Sequence, residues 1–395
     1  MSDRLPNVER ANRYLSAAWK AGILTEPLID AAALESAARG KRDRSAFGSD
    51  GSWREPFHRL VAALHEEADL NPLGRTMAHS QIVHLLRARI AASRLLAETP
   101  QAAQAPMPPP IIIVGQMRSG TTRVQRLLSF DHRFAHTKAF ETLTPFPSPG
   151  RHVRAHTVLT AIKLLNPETL RIHPTYPQAP DEEFGFLAYG FGPAQFEAQW
   201  QIPSFSRWWE SADKSGLYRD FDRLVRINRS ARGENPAKSH IFKLPQFCED
   251  LPAILQTYPG AKLIVLGRDT DEVVASSASL VWNHMRIQSN SVDKHWVGQE
   301  WLRKTRLRQT LLEDFLSNRP DVPVIHVDYE RMNRGWLGEM ERIYAFLERD
   351  LPPALVHKME RWLQSSRNHL GHRYSLEEFG LAPRKVSKAE MALVG

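Results

Sequence analysis

Gly115-Gln116-Met117-Arg118-Ser119-Gly120-Thr121-Thr122 holds glycines, a guanidinium and hydroxyls in an order that suits a phosphate cradle. Glycine allows tight turns and close approach of backbone to an anion. The N–H groups of a loop entering a helix lack intrahelical acceptors and point at whatever lies in front of them. Gly115 and Gly120 have the spacing of the triphosphatase pattern GxxxxGK[ST], but Thr121 stands in the lysine position and Arg118 lies inside the loop. Downstream, Arg268 and Ser276 offer another guanidinium and hydroxyl, eight positions apart. A pair of this kind can clamp a second phosphate away from the loop. The sequence therefore describes a site for two separate phosphate groups.

Those residues need a scaffold. Pro110 to Val114 is an apolar strand running into Gly115, and Val124, Leu127 and Leu128 have the i, i+3, i+4 spacing of a buried helix face. Further strands are expected at His240 to Leu244, Ala261 to Gly267 and Pro323 to Asp328. A helix with Val274, Ala278 and Val281 on one face follows Arg268-Asp269, and Trp336 to Glu348 reads as an amphipathic helix. Alternating strands and helices predict an α/β chain of P-loop type: three layers with a central parallel sheet, plus an N-terminal helical region. Ligands of such sheets bind beyond the carboxyl ends of strands. Arg118, Lys243 and Arg268 all sit at or just past such ends, so they should converge.

Before the first strand, Ala11 to Ala21, Leu28 to Ala38, Phe57 to Ala68 and Ser80 to Glu98 carry helical periodicity, with a polar connection at Gly40 to Trp53. Pro100, Pro106, Pro108, Pro109 and Pro110 predict an extended linker, because proline fixes φ and has no N–H. This divides the chain into a helical appendage with linker, 1–105, and a P-loop-like domain, 106–395. The appendage reads as a cap or dimerisation arm, with acceptor binding as the rival role.

With 42% hydrophobic and 24% charged residues, the composition is that of a globular protein. Its apolar runs fall far short of the roughly 18 residues of a membrane span. Met-Ser-Asp-Arg-Leu-Pro-Asn lacks the apolar stretch of a secretion signal. Cys248 is the one cysteine, which excludes an internal disulfide and a cysteine metal cluster. A cytoplasmic location is expected. The net charge of +8 points to an anionic partner, yet the basic residues are scattered among acids and form no nucleic-acid motif. A pocket for a small polyanion fits better than nucleic acid. His132 and His136 are spaced i, i+4 but lack a third ligand, so they read as surface histidines and no metal is expected. Asp269 and Asp328 follow strands, which leaves a metal-holding acid open.

The order G-x-x-[RK]-[ST]-G-T-T, then a strand and R-D-x-x-x-x-x-x-S, resembles the sulfotransferases that use 3′-phosphoadenosine-5′-phosphosulfate (PAPS). Phe242-Lys243-Leu244-Pro245, Asp181-Glu182-Glu183 after His173-Pro174, Val327-Asp328-Tyr329-Glu330 and His372-Arg373-Tyr374-Ser375-Leu376 are similar to the bacterial branch. The likeness covers about residues 110 to 382. It implies that Gln116, Arg118, Ser119, Gly120, Thr121 and Thr122 hold the 5′-phosphosulfate, with Arg268 and Ser276 on the 3′-phosphate. It further implies that Arg373 and Tyr374 close over the nucleotide, and that the product is 3′-phosphoadenosine-5′-phosphate (PAP).

In-line sulfuryl transfer rests on positioning and on stabilising charge at the leaving phosphate. Arg118, the loop N–H groups and the hydroxyls of Ser119, Thr121 and Thr122 are the expected stabilisers. Lys243 is placed to assist departure of the nucleotide. By resemblance, Glu141 occupies the position of a catalytic glutamate, and a partly apolar crevice would raise its pKa. Many members use a histidine near this lysine, but in Lys243-Leu244-Pro245-Gln246-Phe247 a phenylalanine stands where bacterial relatives often show it, which favours Glu141. His173, with Asp181 or Glu182, is the reserve base. The acceptor is expected to be a hydroxyl of a small or lipid-like molecule, and a homo-oligomer is left open. The rival readings are a non-catalytic nucleotide- or polyanion-binding protein and an ATP-dependent small-molecule kinase, which the missing P-loop lysine disfavours.

Overall fold

The computed structural model describes residues 5–41, 47–48, 50–172, 174–366 and 375–382. Five parallel strands form one sheet in the order β2-β3-β1-β4-β5. They are β1 (Ile111–Gly115), β2 (Phe134–His136), β3 (Ser239–Lys243), β4 (Lys262–Gly267) and β5 (Val324–Asp328). β1 is central and its residues are all buried, which explains an unbroken apolar run in place of alternation.

Successive side chains of a strand point to opposite faces, and both faces here are covered. Ile112, Val114, Phe242, Leu263 and Val265 join one core, together with Phe221 and Leu224 of the helix Ser215–Ala231 and Leu251 and Ile254 of the helix Phe247–Thr257. Ile111, Ile113, Ile241, Ile264 and Leu266 enter a second core with Val124, Leu127, Leu128, Met340 and Ile343. Helix, sheet and helix therefore make the three layers that the alternating pattern predicts.

β1 lies between β3 and β4, and the strand order reverses there: the chain runs from β1 out to β2, back through β3, and then across to β4 and β5. This reversal opens a crevice at the carboxyl end of β1, between Lys243 at the end of β3 and Arg268 just beyond β4.

The four N-terminal helices are Pro6–Lys20, Ala31–Arg39, Arg54–Glu66 and Pro72–Glu98. Leu34, Phe57, Leu60, Ile82 and Leu86 share one core with Phe191, Phe196, Trp200 and Phe205. The helical region is thus packed against the segment that follows residue 183. The linker departs from its expected extended form at Pro100–Ala103, which makes a 3-10 turn beginning on proline, where the missing N–H costs nothing. Strand β2 carried no sequence signal of its own. His136 lies on it, so the spacing of His132 and His136 is not that of a helix face.

Candidate active site

The loop after β1 turns on two unusual backbone conformations. Arg118 has φ 68° and Gly120 has φ 91°, both in the left-handed region. A side chain at Gly120 would meet the Tyr329 ring at 2.8 Å, and one at Gly115 would come within 3.0 Å of the Leu266 carbonyl oxygen. Contact alone requires glycine at 115, while contact and a positive φ together require it at 120. A non-glycine residue at positive φ is strained, and here the strain falls on the backbone of Arg118 at the centre of the loop.

Three elements hold that loop. The Ser119 hydroxyl donates to the Gln116 carbonyl at 2.7 Å. The Gln116 amide donates to the Thr305 carbonyl at 3.0 Å, tying the loop to the helix Lys294–Asn318. Arg268 Nη1 donates to the Arg118 carbonyl at 2.8 Å, and Arg118 Nε donates to Ser276 Oγ at 3.0 Å. Arg268 also lies 4.1 Å over the Tyr329 ring and pairs with Glu272 at 2.7 Å. Arg118 and Arg268, expected to converge, are therefore joined by a hydrogen bond. Lys243 completes the set from β3: its Nζ donates to Thr122 Oγ1 at 3.1 Å and to Glu182 Oε1.

A cavity of about 430 Å³ opens in front of the loop, within the usual range for small-molecule sites. Arg118, Gly120, Thr121, Thr122 and Arg268 line its donor end, with Tyr329 beside them. Several expected residues are used otherwise. Ser119 is buried and its hydroxyl closes the loop, Gln116 faces the neighbouring helix, and Ser276 and Lys243 stand behind the lining as partners of Arg118 and Thr122. His173, Arg373 and Tyr374 lie outside the described residues.

Glu141 sits apart from the cavity lining. It is 1% exposed, in the first turn of the helix Ala139–Leu143, where its carboxylate accepts from the Lys138 N–H at 2.9 Å. The same oxygen accepts from Arg232 at 2.8 Å, and Arg151 lies 3.6 Å from the other. Burial pushes its pKa up, against the pull of these cations. The expected base is here a capping and ion-paired carboxylate, because its backbone position turns it towards the helix start and Arg232.

Glu182 takes the place at the cavity. It is 8% exposed, and its Oε2 finds no hydrogen-bond partner among the described residues. Burial raises its pKa, opposed by Lys243. The adjacent Glu183 is fully buried and accepts the Lys243 backbone N–H at 2.9 Å; burial pushes its pKa up to about 8. This bond pins the 181–183 segment to the end of β3. Among the described residues, no group of three or more histidines, cysteines or acids is arranged to hold a metal ion. No helix among them is long and apolar enough to cross a membrane.

The Sulfotransferase family model matches residues 109–353, from the approach to β1 to beyond β5. The chain belongs to the sulfotransferase family. Sulfotransferase STF1 from Mycobacterium tuberculosis H37Rv has a similar structure, with a TM-score of 0.75 and 23% identity over 90% of this chain and 97% of that one. Sulfotransferase STF9 from Mycobacterium avium gives 0.75 and 21% over 90% and 93%. Both cover the N-terminal helices as well as the sheet, and at these identities the likeness is one of fold. No curated protein matches the chain. Within this sulfotransferase, the signal that pointed to Glu182 and Tyr329 was their membership in Asp181-Glu182-Glu183 and Val327-Asp328-Tyr329-Glu330. It named Glu182 only as a possible companion of His173 in the reserve base, and gave Tyr329 no role.

Proposed function

We propose that this sulfotransferase moves a sulfuryl group from PAPS to the hydroxyl of a small or lipid-like acceptor by in-line displacement. The observation that carries this reading is the tie between the two expected phosphate sites. Arg118 bonds Ser276, and Arg268 bonds the Arg118 carbonyl, so the loop and the start of the helix Thr270–Gln288 form one anion-binding unit. The donor supplies an activated sulfuryl group on a phosphate. Gly120, in the cavity lining, brings the loop to the cavity without a side chain, which suits that group.

In this reading the acceptor oxygen forms its bond to sulfur as the sulfur–phosphate oxygen bond breaks, and the electron pair leaves with the nucleotide phosphate. Arg118, the first-turn N–H groups of the helix Thr121–Leu128 and the Thr121 and Thr122 hydroxyls stabilise that charge. Lys243, held by Thr122, adds its ammonium. The acceptor proton passes to Glu182, whose raised pKa suits it to accept one. Glu141 is not assigned the base role, because it does not line the cavity and Arg232 and the Lys138 N–H hold its Oε2. Arg373 and Tyr374 keep the nucleotide-closing role that the resemblance gives them, and His173 stays the reserve base beside Glu182.

The test is transfer from labelled PAPS across a panel of alcohols, with calorimetric titration of PAP. Saturable PAP binding together with label transfer supports the reading. Absence of PAP binding at tens of micromolar would sink the donor assignment.

A further inference from the structure

Part of the cavity lining is apolar and takes no part in the donor chemistry. Leu159 and Ile162 of the helix Arg151–Leu165, Leu170 of the helix Pro167–Ile172, and Leu280 and Val281 of the helix Thr270–Gln288 form it. Among the described residues, the arginines lining the cavity are Arg118, Arg123 and Arg268, on the donor loop, the helix that follows it and the turn just past β4. Facing the transfer point are the carboxylates of Asp181 and Glu182. His284 is half-buried in this lining, and its surroundings pull its pKa down to about 4, so it adds no positive charge near neutral pH. Lys243, behind the lining, is already paired with Glu182, so among the described residues an anionic acceptor would meet acids here with no further cation to offset them.

Two polar atoms break the apolar wall. Thr169, 8% exposed, has a buried Oγ1, and Gln199 has a buried Oε1; neither finds a partner among the described residues. An unpaired buried polar group costs about 1–3 kcal/mol, so both sites favour a ligand that supplies the missing bond. The Gln199 carbonyl oxygen can only accept, and therefore requires a donor.

Resting on the sulfotransferase reading above, we infer that the acceptor is an uncharged, mainly apolar alcohol with a second hydrogen-bond donor. Its reacting hydroxyl meets Glu182 Oε2, its body lies along Leu159, Ile162 and Leu280, and its second polar group reaches Gln199 and Thr169. Gln199 and Thr169 are then specificity-determining residues of the acceptor site.

The test is a fluorescence titration of the full chain, with and without PAP, using three probes of one shape: 2-naphthol, 2,6-dihydroxynaphthalene and 6-hydroxy-2-naphthoate. The diol should bind roughly ten-fold tighter than the mono-ol, the yield of one well-made hydrogen bond, and the carboxylate weaker than either. Gln199→Leu should bring the diol down to the mono-ol. Leu159→Glu should weaken all three while leaving PAP affinity intact, which also shows that the variant folds. Equal binding of diol and mono-ol overturns the inference, as does a carboxylate that binds as well as the diol or no saturable binding of any probe. The PAP titration reads the donor separately: its failure with the probe ranking intact sinks the donor assignment and leaves the acceptor inference standing.

Discussion

Arg118 Nε donates to Ser276 Oγ at 3.0 Å across 158 positions of sequence. The bond joins the loop after β1 to the second turn of the helix after β4, so the pieces expected to hold separate phosphates are in direct contact. Ser276→Ala should loosen Arg118 and remove a hydroxyl from the proposed 3′-phosphate site. Hydrogen bonds to charged groups contribute about 1.5–3 kcal/mol, which predicts a loss of PAP affinity of roughly ten-fold or more. Calorimetric titration of PAP into the variant measures it, and unchanged affinity would place the phosphate elsewhere.

Glu182 and Glu141 make opposed predictions. Glu182→Gln should lower kcat by about 10²–10⁴, the usual contribution of a general base, with PAP affinity little changed. Glu141→Gln should leave turnover per folded molecule near wild type and cost stability, because Arg232 and Arg151 then lose a buried partner. Removing one member of a buried pair costs about 3–5 kcal/mol. Turnover and urea unfolding of both variants decide the matter: a Glu141→Gln chain that folds well and is inactive would return the base role to Glu141.

What was legible in the sequence and what was not follows one physical line. Long apolar runs report elements, so β1 and β4 could be read within a residue or two, and the helix after Arg268 showed its buried face though not its end. β2 is three residues long and too short for any periodicity to show. Residue type also reports what a side chain can do, but not which way it points. Ser119 has the right hydroxyl, yet it turns back onto Gln116. Glu141 has the right carboxylate, yet it faces Arg232, 91 positions away. Lys243 and Arg268 were legible because strand ends fix where a side chain emerges. Thr169 and Gln199 gave no signal, since their interest lies in lacking a partner, which only packing reveals.

Glu183 gives stability a pH dependence of known sign. Its pKa rises from 4.5 to about 8 through burial, so the folded chain keeps a proton that the unfolded chain has lost across that interval. This stabilisation is fully present below about 4.5 and is lost as pH rises through about 8. The slope is at most about 1.4 kcal/mol per pH unit. Glu183→Gln, which keeps an acceptor for the Lys243 N–H, should flatten the curve of unfolding free energy between those values. Denaturant unfolding of wild type and variant across the interval is the check, and parallel curves would exclude Glu183 as the titrating group.

Gly120 supplies the sharpest test of the loop. Its φ of 91° is a conformation that residues with a side chain rarely adopt, and an added Cβ would stand 2.8 Å from the Tyr329 ring. Gly120→Ala must therefore move either the loop or Tyr329, and Arg268 lies over that same ring. The backbone strain alone is on the order of 1–3 kcal/mol. The helix core around Val124 and Leu127 lies behind the loop and should survive, so the chain should fold with reduced stability while PAP binding falls much further than stability does. Tyr329→Ala in the same chain removes the clash and leaves only the strain. If the loop geometry is what binds the donor, the double variant should recover part of the PAP affinity. Equal affinity in single and double variants would mean that the Tyr329 contact does not set the loop.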